Sequence, residues 1–218
     1  MPMNVLIFAN GDPNPGEMVE LVLAQADDAM IIAADGGARV AWHFGKQPQV
    51  VIGDMDSLSD DEQAKLIAEG AELRKHPVEK DKTDLELALI YAVSHGASWI
   101  RVLGATGGRF DQMLANIYLL ALPSLQDCDV AIVSDNQQMR LFASGQHTIE
   151  GQEGDTISLI PVSGDVSGIT TENLYYPLDN EMLYFGPARG VSNVMTADCA
   201  RVDVRRGTLL CVHTKGRA

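Results

Sequence analysis

Ile52-Gly53-Asp54-Met55-Asp56-Ser57 closes a short apolar run on a glycine and two carboxylates, and three other segments are built alike. Ala34-Asp35-Gly36-Gly37, Asp81-Lys82-Thr83-Asp84 and Gly107-Gly108-Arg109-Phe110-Asp111-Gln112 each follow or lie near an apolar stretch. Short continuous apolar runs read as strands of a sheet covered on both faces, and here they alternate with segments of helical period. Strands are expected over 4–9, 30–34, 50–52, 72–76, 99–103 and 129–134, and helices over 17–26, 38–44, 60–69, 83–94 and 111–120. Such alternation implies βαβ units and a mostly parallel, Rossmann-like α/β sheet with flanking helices. The carboxylates then fall at the ends of successive strands, the edge where open α/β sheets bind ligands.

Near Asn136 the pattern changes. Short strands punctuated by glycine turns follow, at 156–161, 165–170, 182–185, 200–204 and 208–213, with a hairpin expected between 139–142 and 147–150 around Ala143-Ser144-Gly145-Gln146. No later segment carries a trustworthy helical period. The chain therefore reads as an α/β domain over 1–137 followed by an antiparallel β-sandwich over 138–218.

Composition narrows the function. A net charge of −14 argues against a nucleic-acid binder, which needs a cationic footprint. The same charge would trouble a phosphate-binding enzyme, whose polyphosphate it repels unless a metal chelates it, and it would attract a cationic ligand. No stretch approaches the roughly 18–20 apolar residues of a membrane span. Met1-Pro2-Met3-Asn4 shows no basic region or cleavage pattern of a secretory signal. Three widely spaced cysteines (Cys128, Cys199, Cys211) suit a reducing cytoplasm.

Several carboxylates facing one another repel unless a divalent cation sits between them. At an extended strand end the i, i+2 spacing of Asp54 and Asp56 puts both on one side, able to share a cation; the alternative is a turn that caps the helix near Asp60. Asp81 and Asp84 lie just before a helix, with Thr83 able to cap it and Glu86 three residues on. Gly104 to Gln112 follows a strand, bends at a glycine pair and opens a helix, aiming backbone N–H groups at an anion while Arg109 adds a forked donor. No Gly-Lys-Ser/Thr follows, so it is not a Walker loop. Asn10-Gly11-Asp12 and Asp35-Gly36-Gly37 supply further tight turns at the same edge. The five histidines show no ligand spacing, and no nucleophile elbow is present.

In this order and spacing the four acidic segments resemble the thiamine pyrophosphokinase family. Leu174-Tyr175-Tyr176-Pro177-Leu178 and Gly190-Val191-Ser192-Asn193 are similar to that family's thiamine-contacting segments, so the resemblance spans nearly the whole chain. It implies a nucleotide-binding catalytic domain, a thiamine-binding β-sandwich, a homodimer, and Mg²⁺-dependent transfer of a pyrophosphoryl group from ATP to thiamine. Asp54, Asp56 and Asp84 are expected around Mg²⁺, with Asp81 beside them. Asn10, Asp35, Gly36, Gly37, Thr83, Gly108 and Arg109 are expected to meet ATP. Arg109 would neutralise growing charge, and either Asp84 or Asp111 would accept the hydroxyl proton, Asp111 alternatively orienting Arg109. Where the family often has Gly-Leu-Lys before the aromatic, this chain has Asn173-Leu174-Tyr175. Register favours Tyr176, with Ser192 and Asn193, as the thiamine contacts. The competing readings are transfer to a pterin alcohol and a sensor that binds nucleotide or thiamine without turnover.

Overall fold

The computed structural model describes residues 3–79 and 81–217. The expected lead of Met1-Pro2 into the first strand, and Lys80 of the charged loop, lie outside the described residues. Contacts divide the chain into two units, Met1–Asp135 and Asn136–Ala218.

The first unit alternates strand and helix: β1 (Met3–Phe8), α1 (Glu17–Gln25), β2 (Met30–Ala34), α2 (Gly37–His43), β3 (Val50–Gly53), α3 (Asp60–Ala68), β4 (Glu72–Lys75), α4 (Asp84–Ser94), β5 (Ala97–Leu103), α5 (Phe110–Leu119) and β6 (Asp129–Ser134). These strands run in the order β6-β5-β1-β2-β3-β4, and every pairing is parallel. Covering both faces explains the apolar runs: Val5, Leu6, Ile7 and Phe8 of central β1 are wholly buried. β4 at the edge carries exposed Glu72 and Lys75, charges that discourage further strand pairing. Leu85, Ala88, Leu89 and Ala92 form the buried stripe of α4, as their spacing predicts.

Strand order reverses between β1, which leads outward to β4, and β5, which leads outward to β6. Their ladder continues past the strand ends through Gly11 N–H to the Gly104 carbonyl (2.7 Å) and Asp12 N–H to the Thr106 carbonyl (2.9 Å). Such a switch point opens a crevice at the carboxyl edge.

The second unit holds β7 (Gln137–Phe142), β8 (Gly145–Glu150), β9 (Thr156–Pro161), β10 (Val166–Glu172), β11 (Glu181–Leu183), β12 (Asn193–Val194), β13 (Cys199–Arg206) and β14 (Leu209–Thr214). One antiparallel set runs β12-β9-β14-β7, the other β11-β10-β13-β8. Phe142, Ile157, Leu159, Ile169, Val202 and Leu209 fill a common core. The expected hairpin is corrected here: β7 pairs with β14 and β8 with β13, so Ala143-Ser144 carries the chain from one sheet to the other. Phe142 and Ile149 both reach that core, and placing their strands on facing sheets lets them do so from opposite sides. Buried His213 and Asp155 satisfy each other, with Nε2 and Oδ2 2.7 Å apart.

Candidate active site

The crevice of the first unit is an open cavity of about 760 Å³. It is lined from the ends of β1 (Asn10, Gly11, Asp12), β2 (Asp35), β3 (Asp56, Ser57) and β5 (Gly104 to Arg109), and from the start of α4 (Thr83, Asp84). Among the described residues one acidic group is tight enough to hold a metal: one carboxylate oxygen each from Asp35, Asp54 and Asp84, all within 4.8 Å of one another. Asp35 is 5% exposed, stands at φ +46, and its Oδ1 has no hydrogen-bond partner. Gly53 makes the approach possible. A Cβ there would lie 2.8 Å from Asp35 Cβ and 3.1 Å from Asp84 Cγ.

The expected cation residues are brought together only in part. Asp54 and Asp84 are together, and Asp35, expected at the nucleotide, joins them. Met55 adopts φ +67, so the chain leaves the extended state on which the i, i+2 argument depended. The Asp56 N–H turns back to Asp54 Oδ1 at 3.2 Å, and the exposed Asp56 carboxylate lines the cavity outside the trio. Asp81 is exposed and belongs neither to the trio nor to the lining. Capping of α3 falls to Ser59, which accepts from Glu62 N–H while Glu62 returns the bond, so Asp54 and Asp56 are not its caps. Thr83 caps α4 by accepting from Glu86 N–H at 3.2 Å, but the Glu86 carboxylate pairs with Lys82 (3.0 Å) rather than completing a box.

The β5–α5 turn bends at its glycine pair, as the sequence suggests, and opens α5. Gly107, at φ +109, lies where a Cβ would meet Asp12 Oδ2 at 2.1 Å, which locks this turn against the one after β1. Arg109 lines the cavity, is largely exposed, and is gripped by both Asp111 oxygens. That pairing raises the Arg109 pKa and holds the Asp111 carboxyl below its usual range, while Asp111 itself does not line the cavity. Gly36 and Gly37 are outside the cavity lining: a Cβ on Gly36 would strike the Asn10 side chain and one on Gly37 the Phe8 carbonyl.

In the second unit Tyr176 is 66% exposed, edge-on to Tyr175 at 4.9 Å. Ser192 stands at φ +60 with its N–H on Ser158 Oγ. The Asn193 amide is committed to the backbone of Tyr176, accepting from its N–H (2.9 Å) and donating to its carbonyl (2.7 Å). Sequence reasoning passed over Arg39, Glu62 and Gln63, which frame the loop after β3. Only the Ser59-x-x-Glu62 spacing signalled any of them.

The family model of the thiamin pyrophosphokinase catalytic domain matches residues 22–133, and that of the thiamin pyrophosphokinase vitamin B1 binding domain matches 146–209. Thiamine pyrophosphokinase of Bacillus subtilis (strain 168) is 29% identical over 184 residues, 84% of this chain and 86% of that protein. Thiamine pyrophosphokinase 1 of Oryza sativa subsp. japonica is 28% identical over 166 residues, and the match spans 72% of this chain but 62% of that longer protein. The crystal structure of the Bacillus subtilis thiamine pyrophosphokinase superposes with a TM-score of 0.86 at 27% identity, covering 97% of this chain and 99% of that one.

Proposed function

The chain belongs to the thiamin pyrophosphokinase family, and we infer from that membership that it transfers a pyrophosphoryl group from ATP to the hydroxyl of thiamine, giving thiamine diphosphate and AMP. The observation that carries the chemistry is the convergence of Asp35, Asp54 and Asp84, of which Asp35 and Asp84 line the cavity shared with the Arg109 turn.

The trio fits Mg²⁺. Its donors are all carboxylate oxygens, suited to a hard cation, and the buried Asp35 Oδ1 has no other partner. Bound there, Mg²⁺ would supply charge neutralisation for a polyphosphate. The remaining roles fall to the chain. The turn from Gly104 to Gly108, with Asn10 and Thr83, would cradle phosphate oxygens, and Arg109 would meet the charge that grows on the leaving group. Asp111 orients the Arg109 fork, which removes it as proton acceptor. Asp84 sits within the trio, so we assign the thiamine proton to Asp56, which lines the cavity outside it.

In the second unit Tyr176 offers an exposed aromatic face to the cationic ring of thiamine, and Ser192 a hydroxyl to its polar edge. Asn193 serves this site by holding Tyr176. The protein is proposed to act as a homodimer. α5 buries none of its side chains, and Phe110 (83% exposed), Leu114 and Tyr118 make an apolar stripe along it. A cytoplasmic location accords with three cysteines that form no disulfide.

The test is a product assay with purified protein, ATP, Mg²⁺ and thiamine, each omitted in turn. AMP and thiamine diphosphate should appear in equal amounts, and only when all three are present. AMP release without thiamine, or none at all, refutes the reading.

A further inference from the structure

Arg39 stands in the first turn of α2, three residues beyond the Gly36 cap and four beyond Asp35. Its Nε donates to Glu62 Oε1 at 2.6 Å, and its Nη2 donates both to Glu62 Oε2 at 2.7 Å and to the Ser57 carbonyl at 2.6 Å. Glu62 is itself held, since its Oε2 also accepts from Ser59 N–H at 2.8 Å. Next along α3, Gln63 Nε2 donates to the carbonyls of Met55 (3.3 Å) and Leu58 (3.0 Å), and Lys75 Nζ donates to Gln63 Oε1 at 3.0 Å.

Three carbonyls of the loop after β3 are thus each gripped by a side chain, while Met55 and Leu58 anchor it below in the core. The loop needs such holding. Met55 is not a residue that takes φ +67 unless its surroundings impose it. Neither Arg39, Glu62 nor Gln63 lines the cavity, so they do not act on substrate directly. The ion pair is also too exposed, at 47% and 24% for the two side chains, to be chiefly a stabilising contact.

We propose that Arg39, locked by Glu62, is a positioning residue for the carboxylate trio: it ties the helix that follows Asp35 to the loop that carries Asp54. This rests on the reading of the trio as a cation site. Lysine keeps the charge but lacks the planar fork that reaches a carboxylate and a carbonyl together.

The test compares wild type with Arg39→Lys, Glu62→Gln and the double variant, without ATP or thiamine. Three quantities are measured: Mn²⁺ affinity by electron paramagnetic resonance, amide hydrogen exchange across 54–58, and thermal unfolding. The expected result is a loss of Mn²⁺ affinity of about tenfold or more, typical of groups that orient metal ligands, in a protein that remains fully folded at the temperature of the binding measurement. Exchange in the loop should quicken, and the double variant should lose no more than Arg39→Lys. Wild-type affinity and exchange in folded Arg39→Lys, or additive losses in the double variant, overturn the proposal. Should Arg39→Lys fail to fold, Glu62→Gln, which keeps the side chain's size, decides in the same way. Wild type that binds Mn²⁺ no better than Asp35→Asn refutes the cation reading instead, and loop exchange alone then judges the clamp.

Discussion

Two costs coincide at Asp35: a left-handed backbone that non-glycine residues seldom adopt, and a buried carboxylate oxygen without a hydrogen bond beside two other carboxylates. Such costs persist where the site requires them. Asp35→Asn keeps the shape, tolerates the left-handed region and removes one like charge. The variant should be at least as stable as wild type without Mg²⁺, should gain no melting temperature when Mg²⁺ is added, and should turn over orders of magnitude more slowly. Melting curves with and without the ion check this, and an equal Mg²⁺-induced rise in both proteins refutes it. Arg109, exposed and tied to its own loop, should report on chemistry instead: Arg109→Lys is expected to fold normally with a reduced kcat. An unchanged kcat removes Arg109 from the mechanism. Among single residues the sequence makes legible which loops converge on the cavity, but not which carboxylates meet there. Regular spacing, visible in a sequence, points to Asp56 beside Asp54, whereas nothing in the residue type announces that Met55 turns left-handed.

The elements that carry these residues are held by local devices, and α3 is the clearest. Its capping box and the Arg39 pair meet in Glu62, whose carboxyl is held down to about 2, first by the hydrogen bond from Arg39 and then by Ser59. A carboxyl with a folded pKa below its ordinary value near 4.5 stabilises the fold above that value and loses this contribution as pH falls toward about 2. The stability difference between wild type and Glu62→Gln should therefore be constant near neutral pH and shrink below about 4.5, read by urea unfolding at successive pH values. A difference that stays constant down to pH 2 would show that the charge of Glu62 contributes nothing. The alternating elements of the first unit were legible because a sheet buried on both faces writes continuous apolar runs. Those of the second unit were legible as strands but not as partners. The alternation in β8 says which of its side chains face inward, and it does so identically whether β7 pairs with it or faces it across a sandwich, while β7 buries Met139 and Phe142 on opposite faces and carries no such signal.

At the scale of the whole molecule, charge and apolar surface pull in opposite directions. Each chain carries −14, so two copies repel, and any association must rest on apolar contact strong enough to overcome that field. The stripe of Phe110, Leu114 and Tyr118 is such a surface, on a helix that contributes no buried side chain to its own unit. Two consequences separate this reading from a merely exposed helix. Added salt screens the repulsion over about 10 Å at 0.1 M and leaves apolar contact intact, so dimerisation should tighten as ionic strength rises. Leu114→Glu with Tyr118→Glu places charge in the stripe without touching the core, so the helix content should be unchanged while the dimer dissociates at micromolar concentration. Sedimentation equilibrium across a salt series, on wild type and the double variant, reads both effects. A wild-type dimer that loosens with salt would mean that ion pairs hold it, and a double variant that sediments as wild type would place the contact on another face.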